Sequence, residues 1–440
     1  MSRSAWAGLI TVFLVAATVR IGWVVARHGR DPDTLSYPDE YAYRLAGRSL
    51  AAGGGLIDEF GYRATYMPGY PAFIAVFERL HLPLMATRLT QAVLGALVAP
   101  ATFLLARAGG GHPRPPDRMG GGHPCPPLTA PSFRGCVALF AGLAAALDPF
   151  LVFFSGLLLT ETLFAVVLVA SWWLVLLLVD RNRPASLPVS FGVGLLLVIC
   201  VMLRPASTIM IAIAPAMVLV YRGFARPAWW SAGVIVAVAI VGLFPWAARN
   251  ANLLGEWRWT TTRGGISLYD AMHPGATGGS SLAATKTDAG AAGLSELEWD
   301  RYWHDRAMTA VRADPGRVVT LAARKLLRTW NLIPNEENSR RGAPAIVSAA
   351  WMIAALATAA VGWWQVRRAV RWWTVLLVPV ASFTLLHMVF VGSVRYRIPV
   401  MPMMFVLSAA GVCQLLRGRA AGRSTTTAPV DGSTLGGRST

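Results

Sequence analysis

The sequence predicts an all-α, polytopic integral membrane protein with about ten transmembrane helices and outward-facing juxtamembrane helices. Three observations carry this expectation. Of 440 residues, 55% are hydrophobic, and the mean hydropathy is +0.50. Only 14% are charged, against about 25% in an ordinary soluble domain. Apolar runs of about 20 residues, the length that crosses the hydrocarbon core of a bilayer, recur along most of the chain. Together they exclude a soluble domain. The formal net charge of +18 has the sign of a nucleic-acid binder. The Arg residues mostly flank apolar runs, however, where they meet lipid headgroups. Membrane lipids are therefore expected as partners and nucleic acid is not.

The spans follow in order. The run 5–26 is too long for a signal-peptide core and lacks a clear small-residue cleavage site, so it is read as a retained first span. Further spans are expected at 84–107, 135–154, 160–179, 188–203, 206–221, 228–247, 344–364, 373–391 and 398–416. The fifth and sixth form one apolar stretch, broken by Arg204-Pro205. That stretch is too long for one crossing, and Arg at mid-bilayer costs several kcal/mol. A tight hairpin is expected there.

Orientation follows from Lys and Arg in the short loops. With a cytoplasmic N-terminus, the inner links carry Arg107, Arg114, Arg118, Arg134, Arg181, Arg183, Arg222, Arg226, Arg367, Arg368 and Arg371, and the C-terminal tail adds Arg417, Arg419 and Arg423. The outer links carry Asp148, Glu161, Arg204, Arg395 and Arg397. Both ends are thus expected in the cytoplasm. The chain divides into an N-terminal transmembrane module, 1–247, whose outward loop 27–83 carries the expected site. An extracytoplasmic segment follows at 248–343, then a C-terminal transmembrane module at 344–416. The tail, 417–440, is expected to be disordered.

Neither outward segment contains Cys, so disulfides are not expected. One inward loop repeats GGGHPRPP (109–116) as GGGHPCPP (120–127). His112, His123 and Cys125 suggest a metal site, but a Gly/Pro repeat has no fixed backbone to hold ligands, and a linker is the better reading.

Chemistry is expected in the outward segments. Tyr37-Pro38-Asp39-Glu40 opens a helix that runs through Leu50 and stops at Gly53-Gly54-Gly55. Asp39 and Glu40 fall in its first turn, where the helix dipole favours negative charge. On sequence physics alone they are capping acids. The helix is suited to lying on the membrane with Tyr37, Tyr41 and Tyr43 at headgroup level. Ser295 to Glu298 fits a capping box. Asp314-Pro315 starts a basic amphipathic helix, with Val318, Val319, Ala322 and Leu326 on one side and Arg317, Arg324 and Arg328 on another. Ionisable groups collect at the outer span ends: Arg20, Asp148, Glu161, Arg204, Arg249, Arg395 and Arg397. Singly, each Arg reads as snorkelling. Together they describe a pocket of both signs, in which Arg can bind phosphate and carboxylates can take a proton.

Five segments in this order resemble the multi-spanning glycosyltransferases of the C-type fold, the group that contains protein O-mannosyltransferases and aminoarabinose transferases. They are PDEYAYRLAGRSLAAGGGL with MPGYPAFIAVF; SGLLLTETLFAVVLVA; VMLRPAS; PWAARNANLLGEWRWTTTRGGISLYDAMHPGATGG; and DPGRVVTLAARKLLRTW with SVRYRIPVMPMMFVLSAAG. The resemblance implies a polyprenyl-phosphate sugar donor, a lipid, glycan or protein acceptor, and an active site on the outer face of the cell membrane. It implies an acidic base in the first outward loop, at Asp39 followed by Glu40, and a second acid at Glu161. A basic motif before the last span falls on Arg395, Tyr396 and Arg397, which with Arg20 and Arg204 are expected to bind substrate. The Lys-Pro-Pro of aminoarabinose-type members is replaced by Met67-Pro68-Gly69, so phosphate binding falls to other cations. No cofactor and no metal are expected. The expected reaction is transfer to an acceptor hydroxyl with inversion, Asp39 as base. A lipid-linked-sugar transporter or flippase is the rival, as is a non-catalytic membrane protein. No repeat links the two halves of the chain, as a transporter of paired half-repeats would show.

Overall fold

In a computed structural model the protein is described over residues 2–109, 131–282, 285, 288–336, 339–367 and 369–425. Most of the Gly/Pro repeat, with His112, His123 and Cys125, and the end of the tail lie outside the described residues. Among the described residues the regular structure is helical.

The first half contains α1 (Arg3–His28), α2 (Pro38–Ala51), α3 (Gly69–Arg79), α4 (Leu84–Ala96), α5 (Val98–Ala108), α6 (Pro131–Leu147) and α7 (Pro149–Ser155). It continues with α8 (Glu161–Val179), α9 (Leu187–Leu203), α10 (Met210–Arg222) and α11 (Arg226–Leu254). The second outward segment forms α12 (Gly264–Met272), α13 (Glu296–Ala313) and α14 (Pro315–Thr329). Then come α15 (Gly342–Val366), α16 (Val370–Val389), α17 (Val394–Arg397) and α18 (Met401–Thr425).

Among the described residues eight helices are long and apolar enough to cross a membrane, or nine if the bent pair Phe133–Leu147 and Pro149–Ser155 counts as one span. Each of the ten expected spans coincides with an apolar helical segment. The fifth, α9, has 17 residues, about 26 Å of helix, slightly short of the ~30 Å core. The protein is a multi-pass membrane protein. The break at Arg204 is a true hairpin. Arg222 at the end of α10 donates to the carbonyls of Asp180 (3.0 Å) and Arg183 (2.9 Å), beside the start of α9.

The helices pack by close backbone approach as well as by apolar burial. At the crossing of α15 and α18, a Cβ on Gly362 or Gly411 would overlap the facing backbone, the small-residue contact that stands in for a hydrophobic drive inside lipid. Several buried polar groups find partners across the bundle. The Trp172 indole N–H donates to the Val375 carbonyl at 2.6 Å, because a lone polar group in this core would cost several kcal/mol. Cys136 and Cys413 are free thiols whose sulfurs approach to 2.7 Å across α6 and α18.

One end of the bundle gathers the short basic links: Arg181 donates to the Tyr221 carbonyl, and the Tyr221 hydroxyl bonds Thr374 at 2.6 Å. The other end gathers both long segments, joined by Glu296, whose carboxylate accepts the backbone N–H of Arg63 (2.7 Å) and Ala64 (2.8 Å). Exposed Trp6, Trp229, Trp230 and Trp364 lie towards the first end, and exposed Trp257 and Trp259 towards the second, as interfacial belts do. A sidedness test follows. In a cysteine-free background, impermeant maleimide on intact cells is expected to label Asp305→Cys, whose native side chain is 82% exposed, and to miss Asn182→Cys. The opposite labelling pattern would invert the orientation.

Two expectations for the outward helices change. Tyr43 is not a free ring on the surface of α2. It packs edge-on against Tyr70 at 5.1 Å and against Tyr66 at 5.4 Å, because α2 and α3 fold onto each other. In α14 the buried stripe is Leu321, Lys325 and Thr329, while Val319 and Leu327 are exposed. Arg317 turns inward to the carbonyls of Met272, His273 and Ala276. The reason is tertiary: α14 has carbonyls to serve on α12 as well as a membrane side.

Candidate active site

Asp39 and Glu40 diverge because successive helical residues point about 100° apart. Glu40 folds back over the start of α2 and accepts the N–H of Ser36 (2.7 Å) and Tyr37 (3.1 Å). It also accepts Leu158 N–H at 2.8 Å and pairs with Arg88 at 3.3 Å, both side chains fully buried. Arg88 in turn donates to the carbonyls of Thr34 (2.7 Å) and Gly156. This acid ties α2 to α4 and to the turn before α8. Removing one partner of such a pair strands a buried charge. Glu40→Gln is therefore expected to lower stability by about 3–5 kcal/mol, read as chemical denaturation in detergent. A loss within about 0.5 kcal/mol, the scale of an ordinary surface change, would refute the clamp.

Asp39 points the other way. Its Oδ2 meets Arg395 Nη1 at 2.5 Å. Arg395 Nε bonds Glu161 Oε1, and Arg204 Nη1 reaches the same oxygen at 3.4 Å. Four separate elements thus converge: the start of α2, the first residue of α8, the C-cap of α9 and α17. Charges alternate along the chain Asp39, Arg395, Glu161, Arg204. Glu161 is wholly buried, whereas the Asp39 side chain is 46% exposed. The accessible end of the network is therefore a carboxylate. Tyr396 stacks on His387 at 4.1 Å and carries Arg204 over its ring at 5.3 Å.

Burial works to raise the pKa of Asp39. The charge and hydrogen bond of Arg395 oppose it, helped by Arg263 and Arg204, and the net result lies below the ordinary value. Asp39 is ionised at neutral pH. Arg263, from the second outward segment, lies over the Tyr66 ring at 4.9 Å and donates to its hydroxyl. Burial, then the Asp39 charge, pushes Tyr43 up to about 12, so this phenol stays neutral.

The placement of Arg395 depends on the loop before α17. Asn335 Oδ1 accepts Val394 N–H at 2.7 Å, Gly392 N–H donates to Gly278 at 2.9 Å, and Lys325 Nζ donates to the Val389 carbonyl at 2.8 Å. A Cβ at Gly392 would overlap the Lys325 backbone, so only glycine allows this approach.

The structure brings Asp39, Glu161, Arg204, Arg395 and Tyr396 together. It does not bring Glu40, Arg20 or Arg397 to them. Arg20 is buried and donates to the carbonyls of Ala145 and Ala146, each at 2.9 Å. Arg397 is buried, donates to the carbonyls of Thr329 (3.0 Å) and Asn331, and lies over Phe150 at 5.0 Å. Arg263, Tyr43, Tyr66 and His387 join the neighbourhood without a spacing signal. Among the described residues no group of three His, Cys, Asp or Glu comes together, and Asp39 and Glu161 each pair with a guanidinium.

No protein-family model and no curated protein matches the sequence. Solved structures do. The oligosaccharyltransferase of Archaeoglobus fulgidus in its apo form matches with a TM-score of 0.56 at 15% identity over 95% of this chain. Its complex with Zn and sulfate matches with a TM-score of 0.51 at 16% identity over 94% of this chain. The chain spans about half of that protein's length, 52% and 51% respectively. ArnT from Cupriavidus metallidurans bound to undecaprenyl phosphate has a TM-score of 0.42 at 15% identity, over 96% of this chain and 80% of that one. The chain has a C-type glycosyltransferase-like fold, the class implied by the sequence resemblance.

Proposed function

We propose that the protein is a glycosyltransferase of the outer face of the cell membrane, moving a sugar from a polyprenyl phosphate to an acceptor hydroxyl. The observation that carries this is the half-exposed Asp39 held by Arg395, whose other side is held by the buried Glu161. It lies in a fold shared with an oligosaccharyltransferase. Asp39 accepts the proton of the acceptor hydroxyl. Arg395 and Arg204 receive the departing phosphate, whose developing charge they stabilise. A donor phosphate arriving at these guanidinium groups competes with Asp39 for Arg395. The pair loosens and Asp39 becomes more basic as the acceptor gives up its proton. Attack on the face opposite the phosphate inverts the anomeric carbon, and the phosphate leaves without needing a second carboxyl group as acid. Glu161 acts as a positioning residue that keeps Arg395 aimed, and Arg397 holds the following turn.

The test is transfer itself. Purified protein in nanodiscs is incubated with labelled polyprenyl-phosphate hexoses and pentoses and a mixed lipid and peptide acceptor pool, and release of polyprenyl phosphate is followed. No release from any donor, by protein that retains its fold, would overturn the proposal.

A further inference from the structure

Beside Arg395 lies a cavity of about 210 Å³. That is room for a ring-sized group. Tyr37, Arg328, Asn335 and Glu336 line its polar side, and Phe154 and Leu159 its apolar side. Asn335 spends its Oδ1 on Val394 N–H. Its Nδ2 is buried with no hydrogen-bond partner, a state that in a binding site points to a ligand acceptor. Arg328 Nε donates to the Gly392 carbonyl at 3.3 Å, which fixes the guanidinium at the cavity edge. Burial, then the Glu336 carboxylate, pushes the Tyr37 phenol up to about 12, so it is a neutral donor and acceptor.

The lining therefore offers N–H and O–H donors, the guanidinium groups of Arg328 and Arg395, one carboxylate acceptor and an apolar wall. A polyhydroxylated ring matches this mixture: its hydroxyls both donate and accept, and its C–H face rests on Phe154 and Leu159. The donor phosphate belongs at the Arg395 edge of this cavity, and a single carboxylate does not make a metal site. We infer that this cavity holds the sugar ring of the donor, with Asn335 and Glu336 reading its hydroxyls and setting which sugar is accepted. The inference rests on the proposed transfer reaction. In that reaction the phosphate lies at Arg395, and the ring is one glycosidic oxygen away, so the space adjoining Arg395 is the ring's place.

The test compares binding of undecaprenyl phosphate with binding of its glucose, mannose and arabinose conjugates to the full chain in nanodiscs. Asn335→Asp keeps the acceptor for Val394 N–H and removes the free donor; Glu336→Gln keeps shape and removes charge. The unaltered protein is expected to bind one conjugate about tenfold or more tighter than the bare lipid. Both variants are expected to lose that preference, Glu336→Gln while binding the bare lipid as before and Asn335→Asp, which adds a charge near Arg395, with the bare lipid weakened less than the preferred conjugate, since a site built to hydrogen-bond hydroxyls is sensitive to each partner. Retained preference in both variants would overturn the inference, as would an equal loss for bare lipid. So would a raised KM for the acceptor with the sugar preference intact, which would give the cavity to the acceptor. An unaltered protein that binds bare lipid without preferring any conjugate removes the cavity assignment alone. One that binds neither removes the transfer reading and this inference with it.

Discussion

Asp39→Asn is expected to fold, insert and bind donor while turnover falls by about 10²-fold or more, the scale of losing a general base. The amide keeps the side chain's shape but cannot take a proton. The Asp39 side chain is outside the buried core, so the substitution removes the Arg395 pair without stranding Asp39 itself. Glu40→Gln acts through stability instead, because Glu40 faces Arg88 and Leu158 N–H. Measuring transfer and donor binding at equal membrane insertion separates the two. The pH profile adds a sign. Arg395 and its neighbours outweigh burial and hold Asp39 below the usual carboxylate range. Its contribution is therefore fully present at neutral pH and is lost only as pH falls through that lowered value. The kcat/KM for donor, which reports Asp39 in the free protein, is expected to stay flat from about pH 7 down to about pH 5, since the unperturbed carboxylate value is ~3.9. Near-normal turnover in Asp39→Asn would leave the acid as a partner of Arg395 and nothing more.

The second large effect belongs to Arg395. Among the described residues it is the cation that pairs with both Asp39 and Glu161, and it adjoins the proposed phosphate position. Arg395→Ala leaves Glu161 buried with the longer contacts to Arg204 at 3.4 Å and to the Thr160 hydroxyl at 3.5 Å. Donor affinity is expected to weaken by about 1.5–3 kcal/mol, typical of a hydrogen bond to a charged group. Arg395→Lys recovers only part, because a point charge cannot serve two carboxylates as the planar guanidinium fork does. Arg204→Ala is expected to weaken donor binding less, since Arg204 stands behind Glu161. An Arg395→Ala protein with unchanged donor affinity would break the phosphate assignment and leave Arg395 as an internal brace.

Several site features were legible from pattern. The opening of α2 at Pro38, the capping box at Ser295 and the cap at Asp314 are local devices, and each appears where its residues stand. Arg204 as a hairpin breaker followed from the cost of a charge in lipid. Arg263 gave no such sign. It reaches the site because α12 lies beside the loop of Tyr66, a contact 197 residues apart. Arg397 reads like Arg395 in sequence, two residues away in the same short helix, yet its guanidinium turns to backbone carbonyls on the other side of α17.

Composition and local periodicity decide the spans, their hairpin and the gathering of long segments at one end. Those properties come from run length, charge placement and caps, which act within one turn or one crossing of the membrane. Which of two adjacent acids stays accessible is decided only in three dimensions. Asp39 meets a guanidinium 356 residues away and Glu40 one 48 residues away. The helical twist sends them apart, and only the packing of α4, α8 and α17 around α2 determines what each one finds.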